Sequence, residues 1–459
     1  MRQRTIRLAA TGARIATGAV VAAACVLGVV SAVAAPLPGV TRASTGITVT
    51  PIPGDTVLIC NGSYRVLGRD AGQAQLMVSG AFPQLQSDAQ GDPAESEPLA
   101  MPDVAGGSRG LILTSRVADR KAQPIAASES VRLDAADARG FAAAPCREAA
   151  MSTWLVGGDG STGASDIIVL SNPGDVPATV DLMVYGESSA ASSVVVPAKT
   201  QRGVPLASIA GGERKPVVQV VASGAPVRAI LQSTLVRTLD AVGIDLQDGV
   251  GGAQHDLQLV GVRAQTLAEG DDATGVVVRM LSPEQDAEAT VRVRAADSAT
   301  VIDEYPVSLP QGTPTEIALS GIATGVYDIE IEADQPVVAA AHQTARAGSE
   351  TDFAWMTPAP EISSELMFSV PSGPDPVLRL RNTQAASITV EIEGEGGDTV
   401  EVPASGSASV PLRSGAYSLS PSGPVHAAIT MRGGEGSADI AGWPLWAGAA
   451  AQQPIVVHP

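Results

Sequence analysis

Three short stretches of the chain are nearly interchangeable: Pro226-Val227-Arg228-Ala229-Ile230-Leu231, Pro336-Val337-Val338-Ala339-Ala340-Ala341 and Pro424-Val425-His426-Ala427-Ala428-Ile429. Around each stands the same series of short apolar strands and turns. Each copy opens on an apolar run and a turn: Ile167–Leu170 before Asn172-Pro173-Gly174, Val276–Leu281 before Ser282-Pro283, and Val377–Leu380 before Asn382-Thr383. A strand ending in an apolar residue and proline follows, at Val196-Pro197, Leu309-Pro310 and Val402-Pro403. Nine residues after each proline comes a leucine, Leu206, Leu319 and Leu412. The repeat spans about 85–110 residues with six or seven alternating strands, the size of an immunoglobulin-like sandwich. Alternation places Val227, Ala229 and Leu231, and their counterparts Val337, Ala339, Ala341 and Val425, Ala427, Ile429, on one buried face. The other face, which changes between Arg228, Val338 and His426, is expected to point to solvent.

These observations predict an all-β chain of tandem antiparallel β-sandwich modules behind a single N-terminal transmembrane or signal helix. The expected divisions are 1–35 (arginines and apolar helix), 36–50 (spacer), 51–150 (β-rich region without the repeat), and modules at 151–255, 256–360 and 361–459. Within 51–150, Val57–Cys60 and Tyr64–Leu67 flank Asn61-Gly62, a hairpin signal. Gln86–Leu99 is polar, acidic and proline-containing, and reads as a flexible loop.

Composition agrees: aromatic residues are 3% of the 459-residue chain, against 48 glycines and 33 prolines. Each core must therefore rest on Val, Leu, Ile and Ala. The 29 Lys+Arg against 48 Asp+Glu give a formal net charge of -19, a field that repels polyphosphates, so no nucleic-acid partner is expected. Only three of the basic residues are lysines, Lys121, Lys199 and Lys215.

Arg2, Arg4, Arg7 and Arg14 precede Ile15–Ala35, an uncharged stretch of 21 residues. That length matches a helix crossing ~30 Å of hydrocarbon, and the arginines predict that everything after Pro36 lies outside. The expected location is the cell membrane, single-pass, with the C-terminal region extracytoplasmic. The alternative is secretion after cleavage near Ala34, where Ala32-Val33-Ala34 has the small-x-small form of a processing site. Cys25, mid-run, reads as a membrane-buried small residue. Cys60 and Cys146 remain, the count expected of one disulfide in an oxidising compartment. Closing a loop of that length would stabilise by roughly 4–5 kcal/mol in the loop-entropy description.

The run from Cys60 through Cys146, Trp154-Leu155-Val156-Gly157-Gly158 and Leu170-Ser171-Asn172-Pro173-Gly174 resembles a family of uncharacterised actinobacterial exported proteins, domain of unknown function 5719. The resemblance covers essentially everything after the apolar N-terminal segment. It implies export and membrane attachment, and it carries no activity.

No Gly-x-Ser-x-Gly elbow, His-Glu-x-x-His or Walker-type Gly-x-x-x-x-Gly-Lys occurs. Of the four histidines, His342 and His426 fall at different positions of the repeated strand and read as exposed surface residues. His255 lies near a module junction and His458 is terminal. The acidic turns Asp159-Gly160-Ser161 with Asp166, Glu269-Gly270-Asp271-Asp272 and Glu393–Asp398 offer oxygens of the kind calcium takes, without a known calcium-loop spacing. Trp154, Trp355, Trp443 and Trp446 sit at module edges and read mainly as interface plugs. Trp443 and Trp446, in Trp443-Pro444-Leu445-Trp446, are the best candidates for an exposed binding patch. The expectation is a non-enzymatic, membrane-anchored, extracytoplasmic structural or interaction component of the bacterial cell envelope. No cofactor and no metal are expected, and the membrane is bound through the N-terminal helix. An envelope protein or a cell-wall glycan is the expected partner. Two alternatives are an envelope-polymer hydrolase or transferase with its site in 51–150, and a calcium-dependent adhesin.

Overall fold

The structure is a computed structural model that describes residues 16–29, 47–49, 53–67, 77–105, 110–238, 240–265, 275–296, 298, 300–448 and 455–457. Met1–Pro51 with Gln453–Pro459 form one compact unit, and Ile52–Gln452 another. The first unit contains a helix over residues 16–29 and an antiparallel pair between Ile47–Val49 and Ile455–Val457. At 1.5 Å per residue the described helix is ~21 Å long, and among the described residues no helix is long and apolar enough to cross a membrane. Cys25, expected to be buried in the membrane, lies on the exposed surface of this helix, where no described residue covers it. The cleavage position near Ala34, the 36–46 part of the spacer and His458 lie outside the described residues.

The second unit is all-β, as the alternating patterns predict. Over 152–248 two four-stranded sheets face each other. One runs Ser152–Val156, Val217–Ser223, Ala178–Tyr185, Ala190–Val196, and the other Thr200–Pro205, Ile167–Asn172, Arg228–Arg237, Asp240–Asp248. Val227, Ala229 and Leu231 pack between them against Leu155, Val180 and Leu206. Val337, Ala339 and Ala341 do the same in a second core, as do Val425, Ala427 and Ile429 in a third. The spaced leucines serve those cores: Leu206 and Leu319 are buried, and Leu412 packs on the third core from its edge. In the middle copy the last two repeat strands fuse into one, Gly325–Ala347. Its first half pairs with Ala287–Ala295 and Gln254–Ala264, and its second half with Val276–Leu281 and Glu350–Met356.

In the first and last copies the opening turn is held by an asparagine. Asn172 donates through Nδ2 to the carbonyls of Val176 and Val196, at 2.8 and 3.0 Å, and its Oδ1 accepts from the Gly174 amide. Asn382 repeats this with Ala386, Val402 and Gln384. Removing such a side chain strands buried carbonyls, so Asn382→Ala should lower stability by about 1–3 kcal/mol in a denaturant titration.

Residues 53–150 depart from expectation in three ways. Thr56–Ile59 and Tyr64–Leu67 do not form a hairpin; they join different three-stranded sheets. The Glu129 carboxylate takes the Asn61 and Gly62 amides, at 2.6 and 3.0 Å, and so directs the chain away from a tight turn. The expected loop at 86–99 contains two strands, Gln84–Ala89 and Glu95–Pro98, paired with Ile125–Ala135 and Leu111–Ser115. They lack apolar alternation because they are largely exposed and are held by backbone pairing. The third departure is that the repeat is present here too. Pro124-Ile125-Ala126-Ala127 opens a strand whose Ile125 and Ala127 pack with Leu58, Leu113 and the Cys60–Cys146 disulfide. The hairpin partner Ala138–Pro145 plays the part that Asp240–Asp248, Glu350–Met356 and Ile440–Pro444 play in the other three copies.

Candidate functional site

The face of the repeated strand expected to meet solvent is largely covered in every copy, because it forms the joints between sheet pairs. Arg228 is 4% exposed and Ile230 1%. Ile230 packs with Tyr64, Val131 and Ala142 of the N-terminal region. Val338 and Ala340 lie with Trp154, Phe353 and Trp355, and Ala428 joins the core of the middle copy. Strands with both faces buried cannot show the alternation from which exposure is inferred.

Charge is buried in these joints and paired with backbone. Arg228 donates to the carbonyls of Ile59 and Pro145, both at 2.6 Å, tying the first copy to the N-terminal region. Arg279 donates to Gly158 and Pro216, at 2.9 and 2.8 Å, tying the middle copy to the first, and lies over the Trp355 ring. Asp328 accepts from the Gly261 amide and from the Ser407 hydroxyl, tying the middle copy to the last. Gly261 has φ +79, and a Cβ there would lie 2.9 Å from Arg379, so glycine is required. Ser128 meets Ser369, and Arg132 pairs with Asp439, which closes the circuit between the last copy and the N-terminal region.

At the centre the four hairpins place Gly140, Gly243, Asp352 and Asp439 at one equivalent position, opposite the residue eight after the motif's Ile or Val: Leu133, Leu235, Ala345 and Gly433. Asp352 fills the space that Gly140 and Gly243 leave. Its carboxylate accepts the Phe141, Ile244 and Phe353 amides at 2.8, 3.1 and 3.0 Å. Asp245 accepts the Trp355 amide at 2.9 Å. Asp166 accepts the Asp159 amide at 2.7 Å and, more loosely, that of Thr234. Burial pushes the Asp166 carboxyl up to about 7 and that of Asp245 up to about 8, against the pull of these amides. The Asp352 carboxyl is raised for the same reason.

The residues singled out in the sequence are dispersed. His342, expected on the surface, lies in the joint against Phe353 and Trp355, and burial lowers its pKa to about 3, so it is neutral. His426 is partly buried and bonds the Ala359 carbonyl through Nδ1, and His255 bonds that of Ala333. Trp443 is buried in the third core, which removes it from any surface patch; its strand has both faces covered. Trp446 is half-buried under the Arg147 guanidinium, 3.8 Å from the ring centroid. The acidic turn at 159–166 directs its oxygens to its own backbone amides. In 393–398, Glu395 pairs with Arg413. The turn at 269–272 lies outside the described residues. Among the described residues, the cluster with metal-ligand spacing is Cys60, Glu129 and Cys146, whose two sulfurs are bonded to each other.

One open cleft of about 360 Å³ lies at the joint between the first and middle copies. Its floor is the outer face of the first copy's sheet, where Trp154 stands directly across from Gln219, and Gln219 from Met183. Tyr185, at the end of the next strand, tilts against Trp154 with ring centroids 5.5 Å apart. The facing wall is the turn at Ser282-Pro283-Glu284-Gln285 together with Gln335-Pro336, where the repeated motif of the middle copy begins. The Tyr185 hydroxyl reaches toward Gln219 Oε1 at 3.5 Å, and Gln285 donates to Gln335 at 3.3 Å. Burial raises the Tyr185 phenol pKa, with the Glu284 charge adding to it, so the hydroxyl stays a proton donor. Sequence reasoning found Trp154 but missed Tyr185, Gln219, Gln285 and Gln335. Their separation along the chain leaves no local signal.

Residues 102–413 match the family of unknown function DUF5719. The chain belongs to that family. The DUF5719 match takes in Cys146, the first and middle copies with the cleft between them, and about half of the third; Cys60 lies before it. Among solved structures, a tetra-tandem repeat from the extending region of a large adhesion protein aligns at 12% identity over 87% of this chain and 93% of its own. Its TM-score of 0.09 is too low to support any inference. No curated protein matches the chain.

Proposed function

We propose that this DUF5719 protein is a non-enzymatic, membrane-anchored, extracytoplasmic interaction component of the cell envelope, a rigid scaffold that presents a recognition surface. The observation that carries the reading is the closed circuit of sheet pairs, three of whose joints hold a buried arginine or aspartate bonded to backbone, the fourth being held by the Ser128–Ser369 contact and the Arg132–Asp439 ion pair. Such joints resist relative motion and hold the cleft walls in fixed register. The disulfide fits an oxidising compartment. The 16–29 helix leaves Val20, Val21, Val26, Leu27 and Val29 more than half exposed, a surface suited to lipid when preceded by four arginines.

The catalytic alternative placed a site in 51–150. There Glu129 is fully buried, bonded to backbone and walled by the disulfide, a position suited to holding the chain and poorly suited to meeting substrate. The full chain, solubilised in detergent and used as bait against envelope extract, should retain a defined envelope component after salt washing. Retention of none would count heavily against the scaffold reading.

A further inference from the structure

We propose that the cleft between the first and middle copies is a binding site for a neutral saccharide, a hexose or N-acetylhexosamine segment of an envelope polymer. The inference rests on the reading above and adds the class of ligand. Three features of the cleft converge on it.

The floor is aromatic. Trp154 is fixed by its burial in the joint, and Tyr185, partly buried and lining the cleft, leans on it. The apolar C–H face of a pyranose packs on such a ring, and the buried Trp154 keeps Tyr185 from swinging away. The polar lining is amide. Gln219 on the floor and Gln285 and Gln335 on the facing wall each carry a donor and an acceptor in one plane, the pairing that vicinal hydroxyls present, and the Tyr185–Gln219 contact at 3.5 Å and the Gln285–Gln335 contact at 3.3 Å are long enough to yield to a ligand.

The charge is acidic. Glu284 is the charged side chain of the lining, on a protein of net charge -19. A carboxylate accepts well from sugar hydroxyls, whereas a uronate, teichoic phosphate or nucleic acid would be repelled. At about 360 Å³ the space is at the small end for ligand clefts, ~300–1,000 Å³, so it holds a short stretch of glycan. Met183, 41% exposed, continues the floor onto open surface, which gives a longer chain room to run on. A proline-rich peptide would also fit tyrosine and proline walls, but it offers the three amides carbonyl acceptors and no backbone donors at its prolines, whereas sugar hydroxyls supply both.

The test uses the full chain in detergent, with saturation-transfer NMR and calorimetry against malto-, manno- and galacto-tetraose and chitotetraose. Polygalacturonate and a proline-rich peptide are the competing classes. Tyr185→Ala and Gln219→Ala, both at half-buried positions outside the sandwich cores, are compared with Trp446→Ala, an aromatic residue that is not part of the cleft lining. The expected result is binding to at least one neutral tetrasaccharide, weakened tenfold or more by Tyr185→Ala and Gln219→Ala and unchanged by Trp446→Ala. Equal melting temperatures of the variants and wild type guard against misfolding, and Gln219→Glu provides a second, isosteric variant that should also weaken binding.

The proposal is overturned if no neutral saccharide binds, if the peptide or the polyuronate binds instead, or if binding is lost only in Trp446→Ala. Retention of an envelope protein by the bait, undisturbed by any saccharide, would leave the scaffold reading standing while this one fails.

Discussion

Raising the pH from 4 to 8 should make the second unit less stable, with the melting temperature at pH 5 above that at pH 8. Asp166 and Asp245 hold their protons up to about 7 and about 8 in the folded chain, whereas they titrate near 4 when unfolded. A raised folded pKa gives stability that is complete below the unfolded value and is lost as pH climbs through the folded one. At about 1.4 kcal/mol per tenfold change in proton affinity, each group contributes on the order of 4–6 kcal/mol across the window. Asp352, Asp328 and Glu129 are raised by burial too and act in the same direction. His342 and His426 act oppositely, because burial lowers them and the unfolded chain gains their protons below pH ~6.5. Five carboxyls outweigh two imidazoles over this range. Asp245→Asn keeps an oxygen for the Trp355 amide and removes the titration, so its stability should vary less with pH than wild type. An equal or steeper dependence in that variant would refute the assignment.

Asp352→Ala should be the most damaging substitution at the central joint, lowering stability by about 3–5 kcal/mol in a denaturant titration. The loss leaves the Phe141 and Ile244 amides buried without an acceptor, at about 1–3 kcal/mol each. It also opens a void between Gly140 and Gly243, where a methyl group on either glycine would stand 2.5 or 2.6 Å from an Asp352 oxygen. The neighbouring backbones cannot collapse into that void without breaking their own strand pairing. Asp352→Asn retains one acceptor oxygen and should lose less. A cost below about 1 kcal/mol for the alanine variant would mean the strands are held by packing alone.

Much of the fold was legible. The alternation in the three Pro-Val-x-Ala strands gave the buried face in each copy, and the spaced leucines gave core positions. A fourth copy was also readable, since Gln123-Pro124-Ile125-Ala126-Ala127 begins like Gln335-Pro336-Val337-Val338-Ala339. It was hidden because Glu129 stands where Leu231, Ala341 and Ile429 stand elsewhere, breaking the apolar pattern around the disulfide. The polar strands at 84–89 and 95–98 carried no signal, because partly and fully exposed edges need no alternation.

Strand periodicity and apolar spacing depend on residues close in the chain, so the sequence by itself determined the β-sandwich class, the core face of each repeat, the disulfide pair and the acidic charge. What lies on the opposite face depends on which distant strand covers it. Only the tertiary structure decided that Arg228 and Trp443 are interior, that His342 stacks in a joint, and that Asp352 is threaded between two glycines. It alone brought Trp154, Tyr185, Gln219 and Gln335 around one cleft. A side chain's burial is set by its neighbours in space, and those neighbours come from other strands, some a hairpin away and some more than a hundred residues away in the chain.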